Sequence, residues 1–136
     1  MSDKTPMAAP AKGGVVPYLN LEGAVKASEF YQKAFGAELA AMNPPDDKGR
    51  TMHVHLVING GSVMISDFYP EHGHPAVKPA GFAVTLIVRD IDKWFQRAVD
   101  AGATSVQPVQ KMFWGDRYGQ LKDPFGVSWA LNEPAQ

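Results

Sequence analysis

The stretches AVKASEFYQKAFGAE (residues 24–38) and DIDKWFQRAVDAGAT (residues 90–104) decide the fold, because they carry one pattern twice. In the first, Ala27, Phe30, Tyr31, Ala34 and Phe35 fall at i, i+3, i+4, i+7 and i+8. In the second, Ile91, Trp94, Phe95, Ala98 and Val99 fall at the same spacing. Apolar residues so spaced make one stripe along an α-helix, and the stripe is read as core. Each stripe runs into a Gly-Ala pair, Gly36-Ala37 and Gly102-Ala103. Glycine suits the left-handed position that closes a helix. Asp90 is placed to cap the second helix at its N-terminus.

The flanks repeat as well. Before each helix comes a short apolar run, VVPYL at 15–19 and FAVTLIV at 82–88. After the first come AELAAM, TMHVHLVI, the turn NGG and SVMISDF; after the second come ATSVQPV, RYGQLK, the turn DPFG and VSWAL. Asn-Gly and Asp-Pro-Phe-Gly are hairpin signals, and DPFG is read as a structural turn. The offset is steady: Ala27 to Ile91 is 64 residues, and Gly36 to Gly102 is 66. The sequence thus reads as strand–helix–strand–strand–strand, twice. Modules at 14–68 and 80–133 flank a Pro- and Gly-rich connector at 69–79, and residues 1–13 read as a mobile tail. A lone βαβββ unit leaves one sheet face bare, and two such units can pair around a common cleft.

Composition narrows the function classes. Thirteen basic residues oppose fourteen acidic ones, for a net charge of −1. That removes the electrostatic basis for a nucleic-acid or anionic-membrane partner. The chain contains no cysteine, which excludes disulfides, thiolate metal sites and thiol nucleophiles. The opening MSDKTPMAAPAKGG has no apolar signal region, and no later run is long enough to span a bilayer. A cytoplasmic protein is the expectation.

Four stretches, PYL at 17–19, EFYQKAFGAE at 29–38, WGDRYG at 114–119 and DPFG at 123–126, occur in order within the doubled pattern. Together they resemble the PhnB-like branch of the vicinal oxygen chelate superfamily, the glyoxalase/bleomycin-resistance/dioxygenase proteins. That branch is often labelled 3-demethylubiquinone methyltransferase-like. The resemblance spans residues 14–133. It implies an α+β fold, with two tandem βαβββ modules forming one domain whose curved mixed sheet surrounds a cleft. It also implies a homodimer, with a small-molecule ligand held near or across the subunit interface. Metal-dependent members hold a divalent ion with His and Glu from the first and last strand of each module. Here the aligned positions are Val16, Ile65 (or Ser66), Ala83 and Ala130. None is His, Asp or Glu, so the expectation is no metal and no cofactor. Glyoxalase and dioxygenase chemistry, which need the ion as Lewis acid, lose support. A methyltransferase reading lacks a Gly-rich nucleotide-binding turn.

The candidate site residues follow. His53 and His55 stand two apart on a strand and therefore share a face. With Asp67 they would suit an open metal site; without a metal, they would line the cleft as polar groups. Val54, Leu56 and Ile58 alternate on the other face, as in an ordinary two-faced strand. His72 and His74 lie in the connector and are read as solvated. In FWGDRYG, Trp114 and Tyr118 offer aromatic faces, and Arg117 a cationic fork suited to carboxylate or phosphonate. The alternative pairs Arg117 with an acid such as Asp90 or Asp123, and has Trp114 in core or dimer packing. Tyr18, sharing a face with Asn20, is read as cleft wall, and Met52 as adaptable lining. No catalytic residue is assigned. The expected function is metal-free binding of an apolar or aromatic small molecule. The alternative is a metal-dependent lyase or dioxygenase with a non-standard site at His53 and His55.

Overall fold

The computed structural model describes residues 5–136, and these divide into two compact units. The first runs to Gln32 and resumes at Gly36–Lys78; the second holds Lys33–Phe35 and Pro79–Gln136. Each unit carries one four-stranded mixed sheet, and the chain is an α+β protein of two βαβββ repeats.

In the first unit, β1 (Tyr18–Asn20), α1 (Ala24–Phe35), β2 (Glu38–Met42), β3 (Val54–Ile58) and β4 (Gly61–Ser66) follow in order. The last turn of α1 belongs with the second unit. The sheet order is β1-β4-β3-β2, with β1 parallel to β4 and the other pairs antiparallel. Asn59 and Gly60 alone join β3 to β4, with φ of 51° and 85°. Two left-handed residues in a two-residue loop are what the strand twist demands, which is why Asn-Gly stands there. Register aligns Leu19, Ile65 and Val54 in one row, all buried. Tyr18, Asn20, Met64, Ser66 and His55 occupy the opposite face, since side chains alternate.

The second unit repeats the plan with β5 (Ala83–Ile87), α2 (Ile91–Ala101), β6 (Thr104–Lys111), β7 (Arg117–Lys122) and β8 (Ser128–Glu133), in sheet order β5-β8-β7-β6. Gly119 on β7 shows how closely α2 packs. A Cβ there would lie 3.0 Å from Phe95 and from Val109. Gly119→Ala should therefore cost about 1–3 kcal/mol through overpacking, read as a lower urea midpoint with an unchanged slope. Asp123 organises the DPFG turn. Its Oδ1 accepts hydrogen bonds from the Phe125 and Val127 amides, and its Oδ2 accepts one from Trp129 Nε1, each 2.9 Å.

Helix capping departs from the sequence expectation. Asp90 adopts a left-handed conformation (φ 56°) and its side chain makes no capping bond. The capping carboxylate comes instead from Glu133, which accepts the Ile91 amide at 3.0 Å. The first repeat does the same. Gly23 has no side chain to cap α1, and Asp67 Oδ1 accepts the Gly23 and Ala24 amides at 2.8 and 3.2 Å. Each helix start is thus held from the end of the fourth strand of its own module. A carboxylate there satisfies orphan N–H groups and meets the positive end of the helix dipole. At the C-termini, Gly36 is left-handed as expected, whereas Gly102 has φ 125° and lies outside that region while keeping a positive φ.

Of residues 1–13, expected as a mobile tail, residues 1–4 lie outside the described residues, and Pro6 and Lys12 hydrogen-bond to the first sheet. Pro6 O accepts the Met42 amide at 2.9 Å, and Lys12 O accepts the Ser62 amide at 3.0 Å. Lys12 N donates to Ser62 Oγ at 2.7 Å. The segment therefore runs from β2 past β3 to β4. The reason is hydrogen-bond satisfaction: β1 is only three residues long and leaves edge amides of β4 open.

Candidate functional site

The first unit contains a pocket of about 450 Å³ on the sheet face opposite the Leu19–Ile65–Val54 row. Tyr18 and Asn20 come from β1, and Ser66 from the end of β4. Met52 precedes β3, while Asp67, Phe68 and Tyr69 follow β4. Gly73, His74, Pro75 and Val77 of the connector complete the wall. The connector is ordered locally by a 3-10 turn at Pro70–His72, and its ends are bridged where the His74 amide donates to Tyr69 O at 3.0 Å. His74, for which the sequence leaves binding and solvation open and favours solvation, is exposed and also lines the pocket.

Arg50 braces this wall. Its guanidinium lies over the Tyr69 ring, 4.5 Å from the centroid. It donates to both carboxylate oxygens of Glu71 (3.0 and 2.6 Å) and to Asp46 (3.1 Å). The charge-assisted bonds from Arg50 hold the Glu71 carboxyl down at about 2. Burial raises the Tyr18 phenol. Burial, then the Asp46 and Asp67 carboxylates, raise Tyr69. Both phenols are therefore neutral near pH 7, so the pocket presents rings and hydroxyls and no tyrosinate.

The predicted site residues scatter. Tyr18 lies in the pocket, and His53 lies beside it, with ring centroids 6.3 Å apart. Burial and the neighbouring His55 depress the His53 imidazole below its ordinary value, which favours its neutral form. His55 is fully buried on the same face. Its Nε2 lies 2.7 Å from Ser62 Oγ, and its Nδ1 has no partner. Asp67 lies at the pocket wall, but its carboxylate is engaged: Oδ1 holds the start of α1, and Oδ2 accepts the Thr51 amide at 2.9 Å. In the second unit, Trp114 and Tyr118 meet edge-to-face at 6.0 Å, with Trp114 half exposed. Arg117 pairs with neither Asp90 nor Asp123. It forms a two-bond fork with Asp92 on the first turn of α2, at 2.6 and 3.1 Å. Arg117→Ala should leave both the unfolding midpoint and ligand affinity unchanged, since the pair is exposed.

The pocket residues that sequence reasoning missed are Gly73, Pro75 and Val77 of the connector and, above all, the aromatics Phe68 and Tyr69. Their signal was present: two aromatics directly after a strand and directly before Pro70, in a loop where large apolar rings need a reason to be.

The superfamily metal positions do not fit a divalent ion here. Ile65 sits in the buried row of β4, and Ala130 is buried on β8. Val16 and Ala83 offer only hydrocarbon, and the Ser66 hydroxyl donates to Asp67 O at 3.0 Å. Among the described residues no three His, Asp or Glu side chains gather in a way that would hold a metal ion.

A family model described as the Glyoxalase/Bleomycin resistance protein/Dioxygenase superfamily matches residues 20–131, and the chain belongs to that superfamily. An uncharacterized protein of Mycobacterium tuberculosis is 40% identical over 137 residues, covering 96% of this chain and 79% of the relative. The crystal structure of TioX from Micromonospora sp. ML1 is similar with a TM-score of 0.70 and 29% identity, covering 91% of this chain and 98% of that one. The putative 3-demethylubiquinone-9 3-methyltransferase, PhnB protein, of Bacillus cereus shares the fold, with a TM-score of 0.64, 22% identity and 90% and 100% coverage. No described helix is long and apolar enough to cross a membrane.

Proposed function

We propose that this protein binds a small apolar or aromatic molecule in the pocket of the first unit, without a metal. The observation that carries the reading is the wall itself: Tyr18, Phe68 and Tyr69 supply three rings, and Met52 an adaptable thioether, with Asn20 and Ser66 as orienting polar groups. Apart from the exposed His74 imidazole, nothing in that wall is poised for chemistry. The Asp67 carboxylate is spent on backbone amides, and the phenols are held neutral. Sequestration therefore accounts for the arrangement better than turnover does. The pocket volume of about 450 Å³ suits a drug-sized molecule.

Native mass spectrometry of the purified protein tests this, with a co-purified small molecule as the expected finding. Tyr18→Ala and Phe68→Ala should each weaken binding of an aromatic probe by roughly tenfold, since a buried aromatic contact is worth about 1.5 kcal/mol. Unchanged affinity in both variants rejects the pocket as the binding site. The rival metal-dependent reading at His53 and His55 has little geometric support, because His55 Nε2 is on Ser62 and, among the described residues, no carboxylate joins the pair. Near-stoichiometric metal in protein purified without added metal, lost in His53→Ala, would reinstate it.

We further propose a homodimer. Support comes from large apolar side chains left exposed in the second unit, among them Phe82, Ile87, Val106, Phe113 and Trp114. Sedimentation equilibrium should return twice the chain mass of 14.8 kDa; a monomer at micromolar concentration rejects the dimer. A cysteine-free chain suits a reducing compartment, and we place the protein in the cytoplasm on that ground.

A further inference from the structure

We propose that the pocket of the first unit selects aromatic molecules that are neutral or positively charged, and rejects carboxylates and phosphates built on the same ring. The inference rests on the reading that this pocket is the binding site. Its support is the distribution of charge around the wall.

No lysine or arginine is among the described lining residues. Three carboxylates are close by. Asp67 is part of the wall, Glu71 lies in the turn between the lining residues Tyr69 and Gly73, and Asp46 lies on the far side of Arg50. Against them, besides the His74 imidazole of the wall, stands Arg50 among the described residues. Its guanidinium is committed to Glu71 and Asp46 and stacked on Tyr69. The Asp67 charge is shared with the Gly23, Ala24 and Thr51 amides, which reduces it without supplying a positive charge in its place. An entering anion would give up water for a wall whose described lining holds no lysine or arginine and includes the Asp67 carboxylate. An ammonium group loses less, because the faces of Tyr18 and Phe68 attract it. The Tyr69 phenol senses the same field, since Asp46 and Asp67 both disfavour a negative charge at its oxygen. Asn20 and Ser66 provide hydrogen bonds that require no ligand charge.

Three indoles whose short 3-substituents are positive, neutral and negative test the proposal: tryptamine, 3-methylindole and indole-3-acetate. Each is titrated into the ¹⁵N-labelled full-length protein at neutral pH, following the Asn20, Ser66 and Tyr69 amides. The expected result is binding of tryptamine and 3-methylindole at least about tenfold tighter than indole-3-acetate. Val77→Lys places a cation on an exposed position of the wall (66% exposed), and should strengthen indole-3-acetate and weaken tryptamine. Equal affinities, tighter indole-3-acetate, or a Val77→Lys preference identical to the parent would overturn charge selection while leaving the pocket as the site. No shift at these three amides with any probe overturns the binding-site reading, and charge selection with it.

Discussion

Asp123→Ala should be the most damaging single substitution outside the apolar core, lowering stability by about 3–5 kcal/mol. The carboxylate is 5% exposed and accepts three hydrogen bonds of 2.9 Å, from the Phe125 and Val127 amides and from Trp129 Nε1. Alanine removes both acceptor oxygens, and with them all three bonds, at once. It leaves the indole N–H of a fully buried tryptophan facing a methyl group, and the penalty for a buried unpaired donor exceeds the net worth of the bond it replaces. Trp129 also packs against Phe35 at 4.6 Å between ring centroids, so a shifted indole disturbs the second unit beyond the turn. Scanning calorimetry should show a midpoint lowered by about 10–20 °C, taking roughly 4 °C per kcal/mol for a chain of this size. Part of the loss should be recovered on combining Asp123→Ala with Trp129→Phe, because the second change removes the stranded donor. A lone Asp123→Ala midpoint within a degree or two of the parent would mean that the turn is held by its backbone alone.

Asp67→Ala should cost about 2–4 kcal/mol, for a different reason. This side chain ties three separated segments together: Gly23 and Ala24 at the start of α1, Thr51 before β3, and its own position after β4. Its removal frees the first turn of α1 and loosens the segment carrying Thr51 and Met52, whose remaining bond to position 67 runs from the amide of that residue to Thr51 O at 3.0 Å. Stability and ligand affinity should therefore fall together. Tyr18→Ala, by contrast, should weaken binding with little change in midpoint, because that side chain is half exposed. Asp67→Asn, which keeps an acceptor and loses the charge, should fall between parent and alanine. Glu133→Ala, with a single bond to Ile91, should cost less than Asp67→Ala. Equal losses at the two positions would contradict the bond count. Urea denaturation of the four variants decides the ranking.

The two helices, the Asn59-Gly60 hairpin and the strands RYGQLK and ELAAM were legible because their causes are local. Periodicity of 3.6 or 2, and glycine at positive φ, are set by neighbours within a few residues. Asp90 misled because a helix N-terminus needs only an acceptor, and the chain supplies it from Glu133, 42 residues away in sequence. Arg117 pairs with an acid, one of its two readings, but the acid is Asp92 on α2 rather than Asp90 or Asp123, a choice only the fold could make. His53 and His55 share a face as the alternation required, yet only packing separated them. One stands half-buried beside Tyr18, and the other is buried against Ser62.

The sequence by itself determined the doubled βαβββ order, the turns between strands and the superfamily, since each depends on short-range pattern. Tertiary structure alone decided which carboxylates became caps and which residues line the pocket. It also brought Phe68, Tyr69 and His74 of the connector against Tyr18 and Asn20. Hydrogen-bond partners and pocket walls are chosen among groups far apart along the chain, and a buried donor takes whichever acceptor the fold delivers.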